Sequence, residues 1–167
     1  MIIRKAGMAD TEAYLRLLHE VKNGMAHSEW FFLDPDEKVR DMMEEGSMEL
    51  WVAEDAGKLA GAFSIIHPGL NAFNLGNDLG FEKEQLKRVV HMDTAAVHPD
   101  YRGLKLQSRL MAAAESEIAK SGQRILLCTV HPENQYSLRN VQKLGYQIMK
   151  KLEKYGSVRY ILRKDLP

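Results

Sequence analysis

The chain has 167 residues, 45% hydrophobic and 28% charged, which is enough for one well-buried core and short for two, so a single domain over residues 1–167 is expected. Its 23 basic and 23 acidic side chains cancel, leaving no global positive field to recruit nucleic acid or an anionic membrane. A lone cysteine cannot close an internal disulfide, no signal-like segment follows Met1, and no apolar run approaches the roughly 20 residues of a bilayer span; a soluble, cytoplasmic protein is expected.

Residues 2–4 read as a short strand, and Asp10 offers an N-cap ahead of Tyr14, Leu15, Leu17, Leu18 and Val21, which recur at helical spacing. Residues 25–33 show no clean period and carry Trp30, Phe31 and Phe32 together with His27 and Glu29. Asp34-Pro35 is a cap followed by a first-turn proline, which predicts a second helix over 35–45 that Gly46 ends. Residues 48–54 and 59–66 are β-rich and flank Asp55-Ala56-Gly57-Lys58, a hairpin signal. The glycine- and asparagine-rich stretch 68–81 is the longest irregular piece, and such loops are more often functional or mobile than idle. A short helix over 82–88 and a strand over 89–97 follow.

Residues 91–111, HMDTAAVHPDYRGLKLQSRLM, carry the strongest signal. An apolar strand turns through His98-Pro99-Asp100 into Tyr101-Arg102-Gly103 and becomes helical near Leu106. A strand-to-helix turn of this kind leaves backbone N–H groups at a helix start, where the dipole favours an anion, so it reads as a phosphate cradle. The helix over 106–120 places Leu106, Leu110, Ala113 and Ile118 near one face, and Gly122 closes it. A buried-strand run over 124–130, a cap at Asn134, a helix over 135–144 stopped by Gly145, and strands over 146–152 and 158–162 complete the chain. The expected fold is mixed α/β, with a largely antiparallel sheet, one or two parallel crossovers and about four helices.

The segment Val97-His98-Pro99-Asp100-Tyr101-Arg102-Gly103, the helix after it, and the strand-helix unit over 126–146 are similar to the GNAT superfamily of acetyl-CoA-dependent N-acetyltransferases. The element order along the whole chain agrees. That family's pyrophosphate loop reads Gln or Arg, two residues, Gly, one residue, then Gly or Ala. Arg102 and Gly103 are in place here, while Lys105 and Gln107 occupy the later small positions. Glycine lets backbone approach phosphate closely, so Lys105 would have to compensate with charge. The second signature runs Asn, two residues, Ala or Ser, three residues, Tyr, then Gly-Phe. It appears as Asn134, Ser137, Val141 and Gly145-Tyr146, with valine where the tyrosine that protonates the leaving thiolate is expected.

The resemblance implies acetyl-CoA as co-substrate and no metal. Pantetheine would lie along Ala95, Ala96 and Val97. Arg102, Gly103, Leu104, Lys105, Leu106 and Gln107 would hold the pyrophosphate, and Asn134 and Ser137 would touch the pantetheine arm or the phosphates. A lysine-like amine has a pKa near about 10.4 and must lose a proton before it can attack, so a base or a water path is needed. His91 and Asp93 share a strand face with Ala95 by alternation, and several relatives carry Glu or His at one or both places. They are the candidate catalytic pair, set against an ordinary polar pair on a partly solvated strand.

Other residues are expected to be structural. Cys128 should be packing, and Trp30, Phe31 and Phe32 core rather than acceptor pocket. Tyr101 should order its turn. His91, Asp93 and His98 do not share a face and so should not hold a metal. Lys150, Lys151, Lys154, Arg159, Arg163 and Lys164 should be the solvated faces of an end hairpin. The expected function is N-acetyl transfer to a primary amine of a small molecule, amino acid or peptide. The alternative is an acyl-CoA-binding or sensing module of the same fold with little catalysis. A nucleotide-binding protein of another fold ranks last, since neither a Walker ending nor a dinucleotide glycine pattern is present. The oligomeric state is left open, a homodimer included.

Overall fold

Two tight turns share one backbone conformation and set the registers on either side of them. Ala56 and Gly57 have φ of 48° and 79°, and Tyr155 and Gly156 have 55° and 79°. Positive φ at both central residues matches the right-handed twist of the strands a two-residue loop must join. In the computed structural model, which describes residues 1–167, these turns link β2 (Met48–Asp55) to β3 (Lys58–Ile66) and β6 (Gln147–Lys154) to β7 (Ser157–Asp165). The other elements are β1 (Ile2–Lys5), α1 (Thr11–Asn23), α2 (Asp36–Glu45), α3 (Lys83–Leu86), β4 (Val89–Val97), α4 (Leu106–Ile118), β5 (Ile125–Val130) and α5 (Gln135–Lys143). The strands hydrogen-bond in the order β1-β2-β3-β4-β5-β7-β6. The β1–β2, β5–β7 and β6–β7 pairs are antiparallel. β4 and β5 are parallel, joined through α4, so the expected mixed, largely antiparallel sheet is what forms. No helix is long and apolar enough to cross a membrane.

Contacts gather into two compact units, residues 1–65 with 94–114, and residues 66–93 with 115–167. In the first, β3 is buried from Ala60 onward on both faces. Tyr14 of α1 donates its hydroxyl to Ser64 at 3.1 Å on one face. On the other, a Cβ at Gly61 would lie 3.2 Å from the Ala96 carbonyl and 3.4 Å from Leu110 of α4, so any side chain there would have to push its neighbours aside by a few tenths of an ångström. α1 buries Tyr14, Leu15, Leu17, Leu18 and Val21, the positions its periodicity marks. α2 begins one residue later than expected, because Pro35 is its N-cap with extended ψ of 142° rather than its first helical residue.

In the second unit, Leu75, Val89, Ile125, Leu127 and Ile161 form one apolar cluster, with Leu79, Phe81 and Leu152 packed against it. Three of these eight, Leu75, Leu79 and Phe81, come from the stretch 68–81, which is a built cover rather than a mobile loop. Asn71, Asn74 and Asn77 each donate their backbone N–H to the carbonyl three residues back, at 3.1, 3.0 and 2.9 Å. The side chain of Asn74, fully buried, donates to Gly69 and Leu86 carbonyls at 2.8 and 3.2 Å and accepts from Gly76 N–H at 2.8 Å. Its short amide thus satisfies a stretch of chain that has no sheet partner.

Candidate functional site

β4 delivers its residues alternately to two sides. Ala95 and Val97 are half-buried, while Ala96 is buried with its carbonyl over Gly61. Of the predicted pantetheine rail, Ala95 and Val97 therefore keep accessible surface. The strand ends at Val97, and Nδ1 of the next residue, His98, accepts from Asp100 N–H at 3.2 Å while its Nε2 lies 3.2 Å from Glu20. Tyr101 donates its hydroxyl to Asp55 at 3.1 Å, which ties the turn to the end of β2 as its ordering role requires.

The turn expected to be a phosphate cradle follows. Gly103 has φ of 83° and Lys105 has φ of 57°, so the lysine adopts the left-handed conformation that a glycine would occupy without strain. Leu104 stands 50% exposed between them. The first helical bond of α4 runs from Arg109 N–H to the Lys105 carbonyl at 3.1 Å, so the amides of Leu106 and Ser108 have no acceptor within the helix. Leu106 anchors the start of the helix at 2% exposure, and Arg102, Lys105 and Arg109 are exposed around it. Cationic side chains beside helix-start amides suit a pyrophosphate.

The remaining predicted residues lie in the second unit. His91 is buried, and its Nε2 accepts the backbone N–H of Leu75 at 3.0 Å. Burial and the Lys154 charge outweigh Asp78 and push its pKa down to about 3, so the ring is neutral and protonated on Nδ1. The ring nitrogen that a catalytic base at His91 would use is the one that accepts from the loop. His91 is also not on a solvated strand face. Asp93, two residues on along the same face, is exposed.

Asn134 caps α5, its Oδ1 accepting Ser137 N–H at 3.3 Å. Both residues are half-buried. Val141, at the place of the expected tyrosine, is buried, so that turn of α5 offers no hydroxyl to a leaving group. Tyr146 is also buried and donates to Glu115 at 2.8 Å, while Lys164 pairs with the other oxygen of Glu115 at 2.7 Å.

Two structural expectations change. Trp30 and Phe31 are half-buried and Phe32 is 41% exposed, so these aromatics lie outside the core, in the turn region between α1 and α2. Of the cations expected to be solvated, Arg159 is buried, Lys154 pairs with Asp78 at 2.6 Å, and Arg163 lies over Phe81 at 5.1 Å. Stretch 68–81 covers the sheet face they project from, which the hairpin pattern by itself does not reveal. Cys128 is buried packing as expected, its thiol pushed up to about 12 by burial.

A family model described as "Acetyltransferase (GNAT) family" matches residues 15–146. The ribosomal-protein-alanine N-acetyltransferase of Brucella melitensis superposes with a TM-score of 0.76 at 19% identity, covering 99% of this chain and 100% of that one. The yncA protein of Salmonella typhimurium, solved with its cofactor acetyl-CoA, superposes with a TM-score of 0.77 at 18% identity over 100% of this chain and 94% of that one. An N-acetyltransferase of Staphylococcus aureus gives 0.73 at 16% identity over 98% and 97% of the two chains. At these identities the structures establish likeness of fold. No curated protein matches the chain by sequence.

Proposed function

Because the chain belongs to the acetyltransferase (GNAT) family, we propose that it transfers the acetyl group of acetyl-CoA to a primary amine of a small molecule, amino acid or peptide. The observation that carries this reading is the backbone from Arg102 to Gln107. Left-handed φ at both Gly103 and Lys105 keeps the tight turn into α4 even though one glycine is gone. Arg102 and Lys105 supply charge to a diphosphate, and the opening amides of α4 supply directed donors. Along β4, Ala95 and Val97 offer edge surface to the pantetheine arm, and Asn134 and Ser137 are assigned to the same arm or its phosphates.

The bound co-substrate supplies an acetyl thioester: a C–N bond forms as the C–S bond breaks, and the thiol leaves with the proton that the amine loses. Asp93 takes the role of proton acceptor, directly or through water, since it is the exposed member of the pair on β4. His91 acts as a positioning residue that holds the cover over 68–81 in place. A cytoplasmic setting and a monomer or homodimer without nucleic acid or membrane accompany this reading.

Buried Val141 favours one second reading, an acyl-CoA-binding or sensing module with little turnover. Thiol release from acetyl-CoA across amines, amino acids, aminoglycosides and short peptides separates the two. Coenzyme A binding with no acceptor acetylated supports the module, and acetylation of any amine well above the hydrolysis background supports the enzyme. Absence of a thermal shift at millimolar coenzyme A, where about 2.7 kcal/mol is expected at a hundred times the dissociation constant, defeats both.

A further inference from the structure

We propose that two copies of this chain join edge to edge through β6, antiparallel and centred on Leu152, so that Lys151 of each copy pairs with Glu153 of the other. β6 ends the strand order, so its outer edge carries backbone N–H and C=O groups that no strand of the sheet takes up. Residues 147–151 and Glu153 are exposed, and Ile148 and Met149 keep 42% and 48% of their surface in water. An eight-residue edge in this state is a template for another strand.

Alternation divides the strand into two faces. Leu152 packs against the apolar cluster beneath the cover over 68–81. Lys150 and Lys154, on the same face, lean to Asp78, the first to its carbonyl at 2.9 Å and the second to its carboxylate at 2.6 Å. Their ammonium groups are thus held over the sheet instead of guarding its edge. Lys151 and Glu153 stand on the opposite face, both exposed, within the stretch from Lys150 to Lys154 that pairs with β7 without a break.

Symmetry then selects the register. A two-fold axis perpendicular to a continuous sheet keeps each face on its own side, so residues set opposite one another come from the same face. The unbroken stretch offers five centres, and four of them, Lys150, Lys151, Glu153 and Lys154, set a charge against its own copy. Centring on Leu152 instead sets Lys151 against Glu153 twice and leucine against leucine. Lys150 then faces Lys154 on the other side of the sheet, where Asp78 of each copy supplies a carboxylate. The antiparallel run also carries Ile148 and Met149 of each copy toward the Tyr155 turn of the other. The bulge between Ile148 and Lys150 limits the run, and a contact of one edge with itself closes at two copies.

Sedimentation equilibrium between about 1 μM and about 200 μM tests this, and the wild-type chain should show a monomer–dimer equilibrium within that range. Lys151→Glu and Glu153→Lys each turn both cross-pairs into like charges and should each weaken association by about tenfold or more. Mixed one to one, the two variants should associate with each other at about wild-type strength, because each supplies the charge that the other lacks. Lys151→Glu combined with Glu153→Lys in one chain should recover the dimer. A wild-type chain that stays monomeric throughout, single reversals that leave association unchanged, or a mixture that associates no better than either variant alone overturns the proposal. The readout involves no acetyl transfer, so its failure leaves the proposed activity untouched.

Discussion

The backbone N–H of Leu75 donates to Nε2 of His91 across 3.0 Å in a buried setting, joining the cover over 68–81 to β4. Protonating that nitrogen removes the acceptor and places a charge beside Lys154, with only Asp78 to offset it. The unfolded chain takes up the proton near 6.5 and the folded one only near about 3. The unfolded state thus binds more protons between these values, and stability falls as the pH drops through that window, by about 1.4 kcal/mol per pH unit, while remaining level above it. His91→Gln, which can still accept from Leu75 without titrating, should melt with a flatter dependence between pH 6.5 and 4; the same slope in wild type and variant would remove His91 as the cause.

Asp93 and His91 should differ sharply as variants once an acceptor is found. Asp93→Asn is expected to lower kcat/KM by about a hundredfold and to abolish the acidic limb of its pH profile. His91→Gln should change kcat/KM only a few-fold, through the loop it positions. Steady-state rates across pH decide this, and an unchanged profile for Asp93→Asn would return the proton to another group.

Lys105 carries two opposed effects. Its left-handed φ of 57° costs about 1 kcal/mol for a side chain with a Cβ, so Lys105→Gly should raise the melting temperature by about 2–4 °C. The same change removes a cation from the pyrophosphate loop and should weaken coenzyme A binding in calorimetry. Tighter binding by the glycine variant would mean that close backbone approach outweighs the charge.

Gly76 is required for space rather than for φ. A Cβ there would lie 2.7 Å from the Phe81 ring and 2.8 Å from Leu86. Gly76→Ala should therefore displace the cover and cost about 1–3 kcal/mol, seen as a lower midpoint in urea. Gly122→Ala, where a Cβ meets nothing within 4 Å, is the matched control and should be nearly neutral.

Glu115 receives both Tyr146 at 2.8 Å and Lys164 at 2.7 Å. Tyr146→Phe removes one bond and leaves the ion pair, at a cost of about 1 kcal/mol. Glu115→Ala strands a buried hydroxyl and a largely covered ammonium together, and should cost more than Tyr146→Phe and Lys164→Met separately lead one to expect. Thermal melts of the three variants and their double combinations measure that coupling.

The element order was legible in the sequence because each element rests on near-neighbour physics. The helical spacing from Tyr14 to Val21, the Ala56-Gly57 and Tyr155-Gly156 turns, and the Asn134 cap all act within a few residues, and each formed where its pattern put it. The turn into α4 was legible for the same reason, but the positive φ at Lys105 was not, because a lysine gives no local sign of a left-handed backbone. What only the tertiary structure decided is which side chains lose water. His91 and Asp93 look equivalent as alternating polar residues, yet one is buried under Leu75 and the other is exposed. Arg159 and Lys154 look like solvated hairpin cations until the stretch 68–81 folds over them. Burial depends on contacts between segments far apart in the chain, and burial sets a histidine's charge and a residue's access to substrate. No local pattern carries that information.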